Sequence, residues 1–226
     1  MTTAILFTGK VFKPYLNRLI EYTELLPYKF ASVWNNENPE YLKLLADNNF
    51  ILIINDIKTQ ELYQYQSASL FYGINFIKNY NIKFDYVLRT RFDILTKDYN
   101  KYIEFTKPLF QEKLTVLAGI STDTNYFLDI IVGGKLEDMC NFYTLIEKNH
   151  PLGGFIERIL QEKYFNKSNL SKDDIYKLFN FSLDLCLKNG IEFIWYRPSH
   201  WYSRLLTSVP DLKVIEQYCR QSFILI

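Results

Sequence analysis

The strongest constraint on the fold is an alternation within residues 1–95: short apolar runs, each closed by a polar or glycine break, separated by stretches with helical spacing. Residues 4–7, 29–34, 50–54 and 86–88 are the short runs. They are rich in β-branched and aromatic side chains and too short for helices, which predicts strands. Between them, Leu16, Leu19, Ile20 and Leu25 follow Pro14, and proline is tolerated in a first helical turn. Tyr41, Leu42, Leu44 and Leu45 follow Pro39 in the same way. Leu62, Tyr65, Leu70, Ile74 and Ile77 mark a long helix over 59–80. The order β-α-β-α-β-α-β predicts a parallel sheet flanked by helices. The run 50–54 is entirely apolar, which predicts a strand buried on both faces. Gly73 interrupts the long helix at a cost of about 1 kcal/mol relative to alanine, which predicts close packing against a neighbour or ligand.

A parallel sheet gathers its C-terminal strand ends at one edge, and ligands of open α/β sheets bind there. The four ends carry Thr8-Gly9, Trp34-Asn35, Asn55-Asp56 and Arg89-Thr90-Arg91-Phe92-Asp93. In the last, a strand period of two puts Arg89, Arg91 and Asp93 on one face. Guanidinium forks suit phosphate oxygens. A carboxylate suits a hard divalent cation or sugar hydroxyls. Together they point to a diphosphate-bearing ligand. The alternative is an ion-pair ladder on a strand end, which would contribute little.

The second half is less regular. Residues 114–118 and 126–132 predict strands, with Gly133-Gly134 ending the second. Residues 136–147 predict a helix, and His150-Pro151-Leu152-Gly153-Gly154 a loop. Helices are expected over 155–164 and 172–188, a turn at Asn189-Gly190 and a last strand over 192–196.

Length and composition narrow the functions. The 226 residues fit one large domain, and 48% hydrophobic content suffices for a packed core. A net charge of +1 argues against a general nucleic-acid binder. Cys140, Cys186 and Cys219 are odd in number and widely spaced, so buried small hydrophobes in a reducing compartment are expected. His150 and His200 are too isolated for a zinc site. P-loop, dinucleotide-binding and nucleophile-elbow motifs are absent. The N-terminus lacks a basic region followed by an apolar run, and no stretch reaches the roughly 18 apolar residues of a membrane span. A cytoplasmic protein is expected, with peripheral attachment at a membrane surface the alternative.

Several short motifs, taken in order, resemble glycosyltransferases of the lipopolysaccharide-synthesis WavE type. These are Phe7-Thr8-Gly9, Ser32-Val33-Trp34, Ile53-Ile54-Asn55-Asp56, and Gln66, Ser69 and Gly73 on the long helix. Next comes Tyr86-Val87-Leu88-Arg89-Thr90-Arg91-Phe92-Asp93, the most specific. Last are Phe127-Leu128-Asp129, Val132-Gly133-Gly134 and Asp138-Met139. The match spans roughly residues 5–139, and a tyrosine-rich C-terminal third departs from it.

The resemblance implies a single GT-A-like (Rossmann-like) α/β domain with a mostly parallel central sheet. Residues 1–95 would bind a nucleotide sugar, and 96–226 would face the acceptor. It implies transfer of a sugar to a glycan or lipid-linked acceptor hydroxyl in surface polysaccharide or glycan synthesis. Thr8 would contact the donor, and Gly9, Trp34 and Asp56 would border the base and ribose. A turn glycine, a core tryptophan and a helix-capping aspartate are the plainer roles for the last three. Gln66 and Ser69 would contact the donor or hold the arginines, or would be polar surface. Asp93 would hold Mn²⁺ or Mg²⁺ bridging the diphosphate, or contact the sugar itself; of metal ligand and ion-pair partner of the arginines, the metal role is expected. Asp129 and Glu157 are the candidates for an acceptor-side base, although a first-turn glutamate also suits the helix dipole. A second aspartate of an Asp-x-Asp pair is missing at Arg91-Phe92-Asp93. This keeps a non-catalytic binding protein as an alternative. A nucleotidyltransferase is another, although Gly9-Lys10-Val11 is a poor version of the glycine-rich basic loop it would need.

Overall fold

The computed structural model describes residues 1–11, 13–56, 62–117, 130–146, 156–195 and 223–224. It is an α/β fold around a seven-stranded mixed, mostly parallel sheet. The first half runs β1 (Thr3–Thr8), α1 (Lys13–Thr23), β2 (Lys29–Trp34), α2 (Pro39–Asp47), β3 (Phe50–Asn55), α3 (Leu62–Lys78) and β4 (Tyr86–Arg91). After it come β5 (Ile94–Thr96), α4 (Tyr99–Glu112), β6 (Leu114–Val116), β7 (Val132–Lys135) and α5 (Leu136–Tyr143). The chain continues with α6 (Ile156–Phe165), α7 (Lys172–Leu178), β8 (Phe179–Phe181), α8 (Leu183–Lys188), β9 (Phe193–Trp195) and β10 (Phe223–Ile224).

The strand order is β3-β2-β1-β4-β7-β6-β8, and β5, β9 and β10 form a separate three-stranded sheet. β1 pairs in parallel with β2 and β4, and β2 in parallel with β3. All four C-terminal ends therefore lie at one sheet edge, as the alternation predicts. β7 runs antiparallel to both β4 and β6.

Two cores lie on opposite faces of the large sheet. Leu16 and Leu19 of α1, Leu45 of α2, Tyr99, Tyr102 and Phe110 of α4, and Leu183 and Cys186 of α8 fill one. Leu70, Ile74 and Ile77 of α3 fill the other, with Met139 and Phe142 of α5 and Leu160 of α6. Pro39 sits in the first turn of α2, and the side chain of Asn38 caps that helix by accepting from Glu40 N.

Several expectations need correction. Leu25 lies beyond α1 and is 83% exposed rather than part of its apolar face. β3 is an edge strand, so Ile51 and Leu52 are half-buried and Ile54 is exposed. Gly133 and Gly134 lie inside β7 rather than ending a strand, because neighbours occupy the space a side chain would need. A Cβ on Gly133 would lie 2.3 Å from the Phe110 ring, and one on Gly134 2.8 Å from Leu114. The expected helix over 172–188 is broken by β8, which pairs in parallel with β6, while Ser182 N donates to Val116 O at 2.9 Å. Cys140 and Cys186 are buried free thiols. Gly190 follows α8 at φ +64°, as the turn requires. The strand expected over 126–132 largely falls outside the described residues, as do the His150 to Gly154 loop, Cys219, His200 and the 197–202 segment.

Candidate functional site

The sheet order fixes where a site can form. From β1 the chain steps outward through β2 and β3, with α1 and α2 packing on one face. It then crosses the other face through α3 and returns beside β1 as β4. The connections thus diverge between β1 and β4. Such a switch point opens a crevice beyond the carboxyl ends of the strands.

Thr8 and Arg89 meet beneath the ends of these two strands, both of them buried. Strand alternation puts both on the α3 side, because Ala4, Leu6 and Val87 join that core while Ile5, Phe7 and Leu88 join the opposite one. Arg89 Nε donates to Thr8 Oγ1 at 2.9 Å, and that hydroxyl donates to Thr90 O at 3.3 Å. Arg89 is 1% exposed and is among the largest fully buried side chains. Burying a guanidinium is costly unless it is hydrogen-bonded, so such a residue is seldom incidental.

Arg91 and Asp93 form a fork. Arg91 Nε donates to Asp93 Oδ1 and Nη2 to Oδ2, each at 2.8 Å, with both side chains largely buried. This is the bidentate geometry that makes arginine–carboxylate pairs strong. Asp93 does not continue the strand. β4 ends at Arg91, and Phe92-Asp93 turn the chain into β5, which brings the carboxylate back onto Arg91. The expected sharing of one strand face holds for Arg89 and Arg91 and fails for Asp93.

Beside the crevice, a buried polar chain ties β3, β2 and α3 together. Asn55 Nδ2 donates to Ser32 Oγ at 3.0 Å and to Val33 O at 2.6 Å, and Ser32 Oγ donates to Ser69 O at 2.7 Å. Ser32 and Ser69 are fully buried. Gly73 lets α3 approach, since a Cβ there would lie 2.9 Å from Leu6 and 3.2 Å from Ser32. The Ser69 hydroxyl donates to Gln66 O at 3.0 Å, within its own helix. Gln66 is half-buried in the same helix.

The remaining candidates border the same edge or lie away from it. Gly9 follows β1 in the left-handed region at φ +98°, where glycine is favoured. Trp34 ends β2 half-buried, not as a core residue. Asp56 is exposed and its Oδ1 accepts from Asn35 Nδ2 at 2.7 Å, which links the ends of β2 and β3. Glu157 takes the first turn of α6, where its charge suits the helix dipole. Asp129 lies outside the described residues.

Sequence inspection names Ser32 and Asn55 only as parts of motifs and strand ends, with no role of their own, and passes over Glu37. Glu37 lies in the polar stretch Asn35-Asn36-Glu37-Asn38, which reads as a solvated loop. It is in fact 7% exposed, with Oε2 accepting from Val11 N at 2.8 Å and Oε1 from Asn38 N at 3.2 Å.

No group of three or more His, Cys, Asp or Glu comes together among the described residues, and both Asp93 oxygens are held by Arg91. No helix among the described residues is long and apolar enough to cross a membrane.

No protein-family model and no curated protein matches the sequence. Solved structures do superpose on it. HddC from Yersinia pseudotuberculosis, complexed with GMP-PN, gives a TM-score of 0.43 at 13% identity over 90% of this chain and 97% of that one. A second HddC structure gives 0.44 at 14% identity, covering 91% and 98%. A putative glucose-1-phosphate thymidylyltransferase from Bacillus anthracis, in complex with a sucrose, gives 0.47 at 14% identity, covering 80% and 86%. The likeness is distant and concerns architecture. No family match accompanies the motif resemblance to WavE-type glycosyltransferases.

Proposed function

We propose that the β1–β4 crevice binds a nucleotide-diphosphate sugar and that the chain is a nucleotide-sugar-dependent transferase. The observation that carries this is the position of Arg89, a buried guanidinium at the switch point, bonded to Thr8 and two residues before the Arg91–Asp93 fork. A diphosphate entering at the strand ends would meet Arg91, which keeps some exposed surface, with the Arg89 charge fixed behind it, and preorganised charge is what stabilises a leaving phosphate. Gly9, Trp34 and Asp56 border the same edge; Trp34 and Asp56 suit a base and ribose, and the Gly9 turn suits the phosphates beside them. Transfer of the sugar to a glycan or lipid-linked hydroxyl follows if an acceptor-side carboxylate, Asp129 or Glu157, serves as base.

One observation favours a second transfer. The loop after β1 pairs a left-handed Gly9 with Lys10 and is fixed at Val11 by Glu37. A short basic turn held in this way suits the triphosphate of a nucleotidyl transfer. Released products separate the two: nucleoside diphosphate from sugar transfer, pyrophosphate from nucleoside triphosphate and sugar phosphate. A binding protein without catalysis would release neither.

The test is thermal stabilisation by UDP, GDP, CMP and dTDP sugars, with Mn²⁺ and with chelator. A ligand at 100 times its dissociation constant should stabilise by about 2.7 kcal/mol. Arg89→Met should remove that response. If no nucleotide sugar stabilises the wild type, the assignment fails.

Asp93 has its own test. As the partner of Arg91, it restrains a guanidinium, so Asp93→Ala should still bind nucleotide in chelator, more weakly than wild type because that restraint is lost. Loss of a Mn²⁺-dependent part of binding in the variant would return Asp93 to the role of metal ligand.

A further inference from the structure

Glu37 joins two strand exits. It follows β2, yet its carboxylate accepts the N–H of Val11 from the loop leaving β1, at 2.8 Å, while its other oxygen accepts from Asn38 N at 3.2 Å. The side chain is nearly buried, and each of its oxygens accepts from a backbone N–H, as a buried polar group requires. Val11 stands just before α1, whose first turn carries no acidic residue. Glu37 therefore brings negative charge close to a helix start that supplies none itself, a favourable arrangement. The segment that ends at this tether leaves the strand edge: Thr8, which receives Arg89, then Gly9 at φ +98°, then Lys10.

We propose that Glu37 is a positioning residue, holding Gly9-Lys10-Val11 in the conformation that receives the phosphates of a nucleotide sugar. This rests on the nucleotide-sugar assignment of the crevice. A loop tethered at one backbone N–H is free to sample other conformations when the tether is lost. Ligand binding would then have to order it, which weakens affinity.

The experiment combines amide hydrogen exchange with calorimetric titration of UDP-glucose and GDP-mannose on wild type, Glu37→Gln and Glu37→Ala. In Glu37→Ala the Val11 amide should exchange at least 10-fold faster, while β1 amides from Ile5 to Phe7 keep their protection. The dissociation constant for whichever probe the wild type binds should rise about 10-fold, or about 1.4 kcal/mol. Glu37→Gln keeps an oxygen for Val11 N–H but turns an NH₂ toward Asn38 N–H, and should fall between. Faster loop exchange with unchanged affinity would reduce Glu37 to a structural tether and overturn the proposal. If wild type binds neither probe, the titration moves to the CMP and dTDP sugars, and binding of none of the four would sink the nucleotide-sugar assignment and this proposal with it.

Discussion

The two halves of the sheet are built on different rules. β1 to β4 are all parallel, each of the first three followed by its own helix, and their polar ends converge because the topology leaves them no other place. The strands on the other side of β4 are three or four residues long, and β7 runs against its neighbours. Their order depends on partners far away in sequence, such as β6 with β8. In the first half local pattern implies the long-range structure. In the second half long-range contacts overrule local pattern, as where β8 interrupts an otherwise helical stretch.

The glycines should expose this difference most strongly. Gly133 faces the Phe110 ring, which is fully buried and cannot withdraw. Gly133→Ala should destabilise by about 3 kcal/mol in urea unfolding. Pairing it with Phe110→Leu should recover a large part of that loss. An additive double mutant would show that the two residues do not compete for one space.

Titration gives the next contrast. In the second half, burial holds the phenols of Tyr99 and Tyr102 well above their ordinary range and pushes the Cys186 thiol up to about 12. These groups keep protons in the folded chain that the unfolded chain releases from about pH 8.5 to 10 upward. Their contribution is therefore complete below that window and lost as pH rises through it. In the first half, burial lowers the pKa of Lys29, partly opposed by Glu24, so its contribution improves over the same alkaline range. Burial raises the Cys140 thiol as well, so four buried groups against Lys29 predict a net fall, by at most about 1.4 kcal/mol per pH unit for each. The urea midpoint should drop between pH 9 and 11, less steeply in Tyr102→Phe. A midpoint that holds or rises would mean Lys29 dominates.

The smallest effect belongs to Gly73. Its would-be Cβ meets side-chain atoms, the Leu6 methyls at 2.9 and 3.0 Å and Ser32 Cβ at 3.2 Å. Alanine gains about 1 kcal/mol of helix propensity, which offsets the crowding. Gly73→Ala should stay within about 1 kcal/mol of wild type by the same measurement. A loss above about 2 kcal/mol would place the α3–sheet contact beside Gly133 and erase the contrast.

The amino-acid sequence determined β1 to β4, their helices and the edge where their ends meet. Residues a few positions apart carry that information: period two in strands, helical spacing between them, and a break after each run. It also put Arg89 and Arg91 on one strand face. The tertiary structure decided the rest. Asp93 turns back onto Arg91 because β4 stops there and β5 begins, which residue spacing along a presumed strand does not reveal. Glu37 became a tether, and Asn55 and Ser32 part of a buried chain, because residues more than 20 positions away came within hydrogen-bond reach. Gly133 and Gly134 read as a strand end until Phe110 and Leu114 take up the space their side chains would have filled. A polar or glycine residue has the same local signature in a turn, a core network or a tight contact, and only its distant neighbours distinguish them.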